Sequence, residues 1–146
     1  MKHDVVYAVE QRARPAYRIF AFDPSSGIDT TVFTVPKDAI VYGIALSPDR
    51  NTLAVSYSPD FHINGSGLSL LKLKTHNLTE LTPATTGKFE VNLEWSSDAT
   101  SVYSTQVDQR TPVEQLDIAR TSVRDGTVKI VARNGVNPTF SQNELY

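Results

Sequence analysis

Short alternations of apolar and polar residues, each bounded by turn residues, run along the whole chain, and no segment sustains a helical period. The alternation predicts strands over residues 5–9, 17–22 and 31–35, then over 40–46, 52–57, 68–73 and 78–82. A third group follows at 89–95, 101–107, 114–119 and 127–132, and a lone strand at 136–140. Side chains alternate faces along a strand. Ile40, Tyr42, Ile44 and Leu46 are therefore expected on one face, and Phe89, Val91, Leu93 and Trp95 on its counterpart. By the same period Glu94 shares its face with Glu90 and Asn92.

A phrase recurs in register with these runs. Leu46-Ser47-Pro48-Asp49 returns as Trp95-Ser96-Ser97-Asp98 and again as Phe140-Ser141-Gln142-Asn143, with the serines 49 and then 45 residues apart. A fixed period in this range marks a repeat architecture. Proline presets its own backbone angle, and the aspartates Asp49 and Asp98 are suited to accept bonds from nearby amides, so the phrase predicts a tight turn between two strands. Lettering the strands of one unit a to d gives the order bcd-abcd-abcd-a, in units of residues 1–38, 39–86, 87–134 and 135–146. Four short antiparallel strands repeated every 45 to 50 residues describe an all-β chain of propeller blades, here about three blade equivalents.

The apolar-Ser-Pro-Asp turn, the short strand after it, and a strand closing on a turn of the Asp/Lys-Thr/Ser-Gly/Asn type resemble the TolB-like branch of the WD-repeat-like β-propellers. The text from Leu68 to Thr82, LSLLKLKTHNLTELT, carries this most fully. The Trp-Asp dipeptide of true WD repeats is absent. The resemblance implies rings of six blades, twice what this chain supplies. The chain is then either a portion of a longer propeller or a unit that completes a ring with another copy or a complementary chain. In the second case the strand at 136–140 of one copy joins the first sheet of the other, a low-cost exchange that removes open edges. TolB-like propellers also accompany the catalytic domain of prolyl-oligopeptidase-like peptidases, to which nothing here is similar.

Composition narrows the function classes. A formal net charge of -2 gives no global bias toward nucleic acid or anionic lipid. The absence of cysteine excludes disulfides, thiolate zinc sites and cysteine nucleophiles. No stretch approaches the roughly 18 apolar residues of a membrane span, and the first residues enter a strand-like run without a signal-peptide core. A soluble protein is expected, cytoplasmic if the chain is complete and periplasmic or extracellular if it is a processed portion.

Little chemistry stands out. His62 neighbours Asp60, but no second histidine or cysteine stands at ligand spacing, so neither a metal nor another cofactor is expected, and no catalytic residue is assigned. Gly65-Ser66-Gly67 lacks the spacing of a nucleophile elbow and reads as a flexible loop tip. The loops at 12–16, 58–67 and 108–112 occupy equivalent points of the three units, where a rigid scaffold commonly presents recognition residues. Tyr57, Phe61 and His62 are the candidate partner contacts there, and Glu90 and Glu94 the candidates for a polar funnel lining. The expectation is a non-catalytic protein-binding or scaffold module; the alternative is the propeller portion of an enzyme.

Overall fold

The computed structural model describes residues 4–11 and 17–139. Strands β1 (Val6–Glu10), β2 (Tyr17–Asp23) and β3 (Ile28–Val35) form a first sheet. Strands β4 (Ile40–Leu46), β5 (Thr52–Ser58), β6 (Gly67–Lys72) and β7 (Asn77–Glu80) form a second, and β8 (Lys88–Trp95), β9 (Ser101–Asp108), β10 (Gln115–Ser122) and β11 (Val128–Arg133) a third. Each sheet is an antiparallel meander in chain order, and β4 lies against β8 and beside β1. This is the expected blade order, with no strand a in the first sheet among the described residues. The first b–c loop, at 12–16, and the phrase at 140–143 lie outside the described residues.

The recurring phrase is a turn built from side-chain bonds. Ser47 Oγ donates to Asp49 Oδ1 at 2.6 Å and accepts from the Thr52 amide at 3.1 Å, while Asp49 Oδ1 also accepts from the Asn51 amide at 3.1 Å. Forty-nine residues later Ser96 Oγ donates to Asp98 Oδ1 at 2.7 Å and accepts from Ser101 at 3.0 Å, and Asp98 accepts from Thr100 at 3.0 Å. Arg50 and Ala99 take the left-handed conformation these turns need. Serine and aspartate recur because each satisfies amides that the reversing chain would leave unpaired.

The inner strands do not keep the simple alternation. In β8 the pairing slips by one residue between Val91 and Glu94, and Asn92 sits at φ 52°; in β4 it slips between Val41 and Gly43. Such a bulge moves every later side chain to the other face. Val41, Ile44 and Leu46 thus face the first sheet together, while Ala45 turns toward the third. Glu90, Leu93 and Trp95 face the second sheet, and Val91 and Glu94 lie on the opposite face; Phe89 shares that face by register, but its ring meets Tyr42 of β4 edge to face at 5.4 Å. The expected sets of Ile40 with Tyr42, Ile44 and Leu46, and of Phe89 with Val91, Leu93 and Trp95, are each split at the bulge.

Two cores result. Between the first and second sheets Ile19, Val35, Val41, Leu53, Val55 and Leu71 are buried, with Phe33 and Tyr57 meeting edge to face at 6.5 Å. Between the second and third, Ala54, Leu68, Trp95 and Val102 are buried, and Trp95 Nε1 donates to the Ala45 carbonyl at 2.9 Å. Dispersion and water exclusion hold both joints, with about 1.5–3 kcal/mol for each fully buried large apolar side chain.

The lone strand expected at 136–140 is not formed over residues 136–139. A strand needs a neighbour to take up its backbone groups, and no such neighbour stands there among the described residues. Asn137 nonetheless has φ 54° and donates its amide to Thr105 Oγ1 at 2.9 Å, laying this segment against the outer face of the third sheet. At the 45-residue spacing it is the counterpart of Asn92, and it already holds that residue's left-handed conformation.

The bulge makes a stability prediction. A β-branched residue at φ 52° costs about 1–2 kcal/mol where glycine costs little. Asn92→Val should lower the urea midpoint by that equivalent and Asn92→Gly leave it nearly unchanged; equal losses for both would remove the left-handed bulge from the account.

Candidate functional site

The repeat shows which side chains are unusual for their slot. Val41, Val55 and Tyr57 line one joint of the second sheet; 49 residues on, the same slots of the third sheet hold Glu90, Ser104 and Gln106. An apolar trio has become a polar one. Glu90 is 6% exposed, and Ser104 and Gln106 are buried with it. Ser104 Oγ donates to Glu90 Oε2 at 2.5 Å and Gln106 Nε2 donates to Oε1 at 2.9 Å. Burial pushes the Glu90 carboxyl above its ordinary range; the two donors and the Lys88 charge oppose that shift without cancelling it.

The network extends into the loop after β5. The Glu90 amide donates to Ser66 Oγ at 2.9 Å, and Ser56 Oγ donates to the same atom at 2.9 Å. The loop is held along its length: the Phe61 amide reaches the Asp38 carbonyl at 2.7 Å, Gly87 reaches Asn64 at 2.9 Å, and Ser66 reaches Lys88 at 2.8 Å. Ser66 is 2% exposed, and a Cβ on Gly65 or Gly67 would stand 1.8 Å from the Thr85 carbonyl oxygen or 2.1 Å from that of Thr82. The flexible tip expected at Gly65-Ser66-Gly67 is therefore overturned. Its glycines let two connections cross in contact, and its serine links two sheets.

The five candidate residues separate. Tyr57 packs against Phe33 between the first two sheets, and burial raises its phenol pKa. Phe61 and His62 lie in a 3₁₀ turn, Phe61–Ile63, capped by Asp60. Their rings stack at 3.9 Å, Phe61 is 39% exposed, and His62 Nδ1 lies 2.8 Å from Asp60 Oδ1. Glu90 is enclosed between the second and third sheets, whereas Glu94 pairs across from Tyr103 on the other side of the third sheet. The two glutamates, expected on one face, stand on opposite faces because the bulge lies between them. Among the described residues no three His, Asp or Glu side chains gather to hold a metal ion. Nor, among the described residues, is any helix long and apolar enough to cross a membrane.

Two surfaces lack the neighbours that the middle sheet has. The second sheet is covered on both faces and begins on a strand a; the first begins on β1, whose other edge carries no strand among the described residues. The third sheet turns Val91, Glu94 and Tyr103 to a face with no sheet beyond it among the described residues. The free face of the first sheet carries an ion cluster in which Arg18 bonds Glu10 and, at 2.7 Å, Asp29, with its guanidinium 4.8 Å from the Phe20 ring centre.

No family model matches the chain, and no curated protein matches it. Solved structures do. A prolyl endopeptidase is similar at 11% identity and TM-score 0.63, over 91% of this chain and 21% of that one. Oligogalacturonate lyase from Vibrio parahaemolyticus is similar at 10% identity and TM-score 0.62, over 86% and 35%. An oligogalacturonate lyase in complex with manganese is similar at 12% identity and TM-score 0.58, over 86% and 46%. The chain thus spans less than half of each of these proteins. At such identities the likeness is one of fold alone, and it makes the three sheets blades of a partial β-propeller.

The buried carboxylate sets a pH test. Because its folded pKa is raised, Glu90 opposes folding progressively as pH rises from the ordinary glutamate range through that folded value, and uniformly above it. Glu90→Gln keeps an oxygen for the Gln106 donor and leaves Ser104 free to rotate and accept. The stability of E90Q relative to wild type, from urea midpoints at several pH values, should grow across that window and then level off. A difference that does not vary with pH would contradict a desolvated carboxylate.

Proposed function

We propose that this chain is a non-catalytic protein-binding or scaffold module of the TolB-like kind, whose blades complete a ring with another copy or with a complementary chain. The observation that carries the reading is the unequal first blade: among the described residues it has three strands where the other two have four, and the one not seen is the innermost. An open inner edge offers a row of backbone donors and acceptors to an added strand. The segment at 135–139 supports the same reading. It lies on the outer face of the third blade in the left-handed conformation that an inner strand uses at its bulge, without a strand beside it.

The choice of a binding module over the propeller portion of an enzyme is supported by the two inner-strand glutamates. Glu90 is bonded to Ser104 and Gln106 inside a joint and Glu94 lies on the opposite face, so they do not converge on one reacting atom. The aromatic contact surface of the module is then Phe61 with His62, on a loop fixed by backbone bonds to two inter-blade connections.

Light scattering on the eluting protein tests the assembly. A mass near twice 16.1 kDa is expected for a ring shared by two copies. In that assembly the outward amides of β1 should be protected from hydrogen exchange to the level of β5. A folded species of one copy, with β1 exchanging freely, would overturn completion by a second copy.

A further inference from the structure

The third blade carries a second departure from the repeat, on its outer face. Each sheet has a cross-strand row whose strand c member stands six residues before the left-handed turn residue Gly27, His76 or Gly126. In the first blade the row is Tyr7, Ala21 and Thr30; in the second it is Ala45, Ala54, Leu70 and Thr79. Both rows are uncharged, and both press on the next blade: Tyr7 and Ala21 pack into the first core, Ala45, Ala54 and Leu70 into the second. In the third blade the row is Glu94, Tyr103, Arg120 and Lys129. Three of its four members are charged. An indole set on this row as Trp95 is set on Ala45 and Ala54 would strip water from those charges, so the apolar seat of the first two blades is not repeated here.

The cationic half of the row opens into a groove. Arg120, Arg124 and Lys129 line a cavity of about 520 Å³ together with Thr100, Ser101 and Thr127. That volume lies in the range of small-molecule sites. All three cationic residues are exposed. Arg120 is held in place by its Nε, which donates to Ser101 Oγ at 3.0 Å. Asp98 and Asp125 do not line the cavity, although their charges interact with Arg120 and Arg124 from beside it. Asp98 accepts from the Thr100 amide at 3.0 Å and Asp125 from the Thr127 amide at 3.0 Å, each inside its own turn. Glu94, at the far end of the row, stands two strands from Arg120.

We infer that this groove binds a small polyanion, a ligand carrying two or more carboxylate or phosphate groups. The two arginines supply forked donors that match either oxyanion, Lys129 supplies a mobile point charge, and the hydroxyls complete the set of donors. The inference concerns a face of the third blade and does not depend on whether a partner completes the ring.

Calorimetric titration of the intact chain at low salt tests it, with citrate as the carboxylate probe and tripolyphosphate as the phosphate probe. Saturable one-to-one binding of at least one probe is expected, and the stronger of the two identifies the ligand chemistry. The R124A/K129A double variant should weaken that binding at least tenfold. K37A/K74A, which removes the same charge from exposed positions outside the groove, should change it less than twofold. Binding should also weaken as salt is added. If R124A/K129A does not fold, shifts of the wild-type amides of Thr100, Ser101, Thr127 and Lys129 on adding the probe decide the matter. Absence of saturable binding to both probes, equal losses in the two double variants, or shifts centred away from those amides would each overturn the assignment.

Discussion

The arrangement of this chain depends on a one-residue slip in the pairing of its inner strands. A regular strand alternates faces with period two, so a chain threading between two sheets would present one fixed set of side chains to each. In β8 the slip at Asn92 brings Glu90 and Trp95, five positions apart, to the same face. Without it, either Trp95 would leave the pocket of Ala54, Leu68 and Val102, or Glu90 would leave its donors Ser104 and Gln106. The left-handed conformation that allows the slip is tolerated by asparagine at modest cost. The large apolar contact of Trp95 outweighs that cost. β4 also slips by one residue, between Val41 and Gly43, but without a left-handed residue there, so the two inner strands reach a similar switch of faces by different local geometry.

From the first joint onward, the faces grow more polar. The first joint is filled by Ile19, Val41, Leu53, Val55 and Leu71. The second keeps Leu68, Trp95 and Val102 but exchanges Val41, Val55 and Tyr57 for Glu90, Ser104 and Gln106. The free face of the third blade exchanges Leu70 and Thr79 for Arg120 and Lys129. A buried polar set adds little net stability compared with an apolar one of the same shape, but it fails abruptly when a partner is lost. The second joint is thus the more polar of the two. Its register is fixed by directional bonds from Ser56 through Ser66 to the Glu90 backbone, as well as by shape.

Much of this was legible in the sequence. The turn phrase, its spacing and the alternating runs located the strands, and 40–46 coincides with β4. Local chemistry explains the success: Ser47 and Asp49 act on amides within five residues, so their meaning travels with them. The bulges were not legible, because a slip is a relation between two strands and neither Tyr42 nor Asn92 announces it alone. The face of every residue beyond the slip was misread for that reason, Glu94 among them. Gly65-Ser66-Gly67 failed differently. Glycine and serine suit both a mobile tip and a tight crossing, and only the carbonyls of Thr82 and Thr85 on the other segment decide between them. The candidate Phe61 was placed correctly on its loop, but the Asp38 and Asn64 bonds that fix the loop come from contacts no local pattern encodes.

The same distinction between local and relational features bears on the two open ends of the blade array. The edge of β1 and the face of the third blade are both defined by what is missing beside them, and they differ in kind. An edge offers backbone groups, which any extended strand satisfies regardless of its side chains. A face selects by side chain, and this one selects against a large apolar insert wherever Glu94, Arg120 and Lys129 stand in the row that received Trp95 one blade earlier. A partner that joins at the edge is therefore chosen by geometry, whereas anything that settles on the face is chosen by charge. Because the two selections involve different atoms at opposite ends of the array, a change at Arg120 or Lys129 leaves the backbone groups of β1 untouched. The strand addition and the charge recognition we propose would thereby be separable in one small repeat.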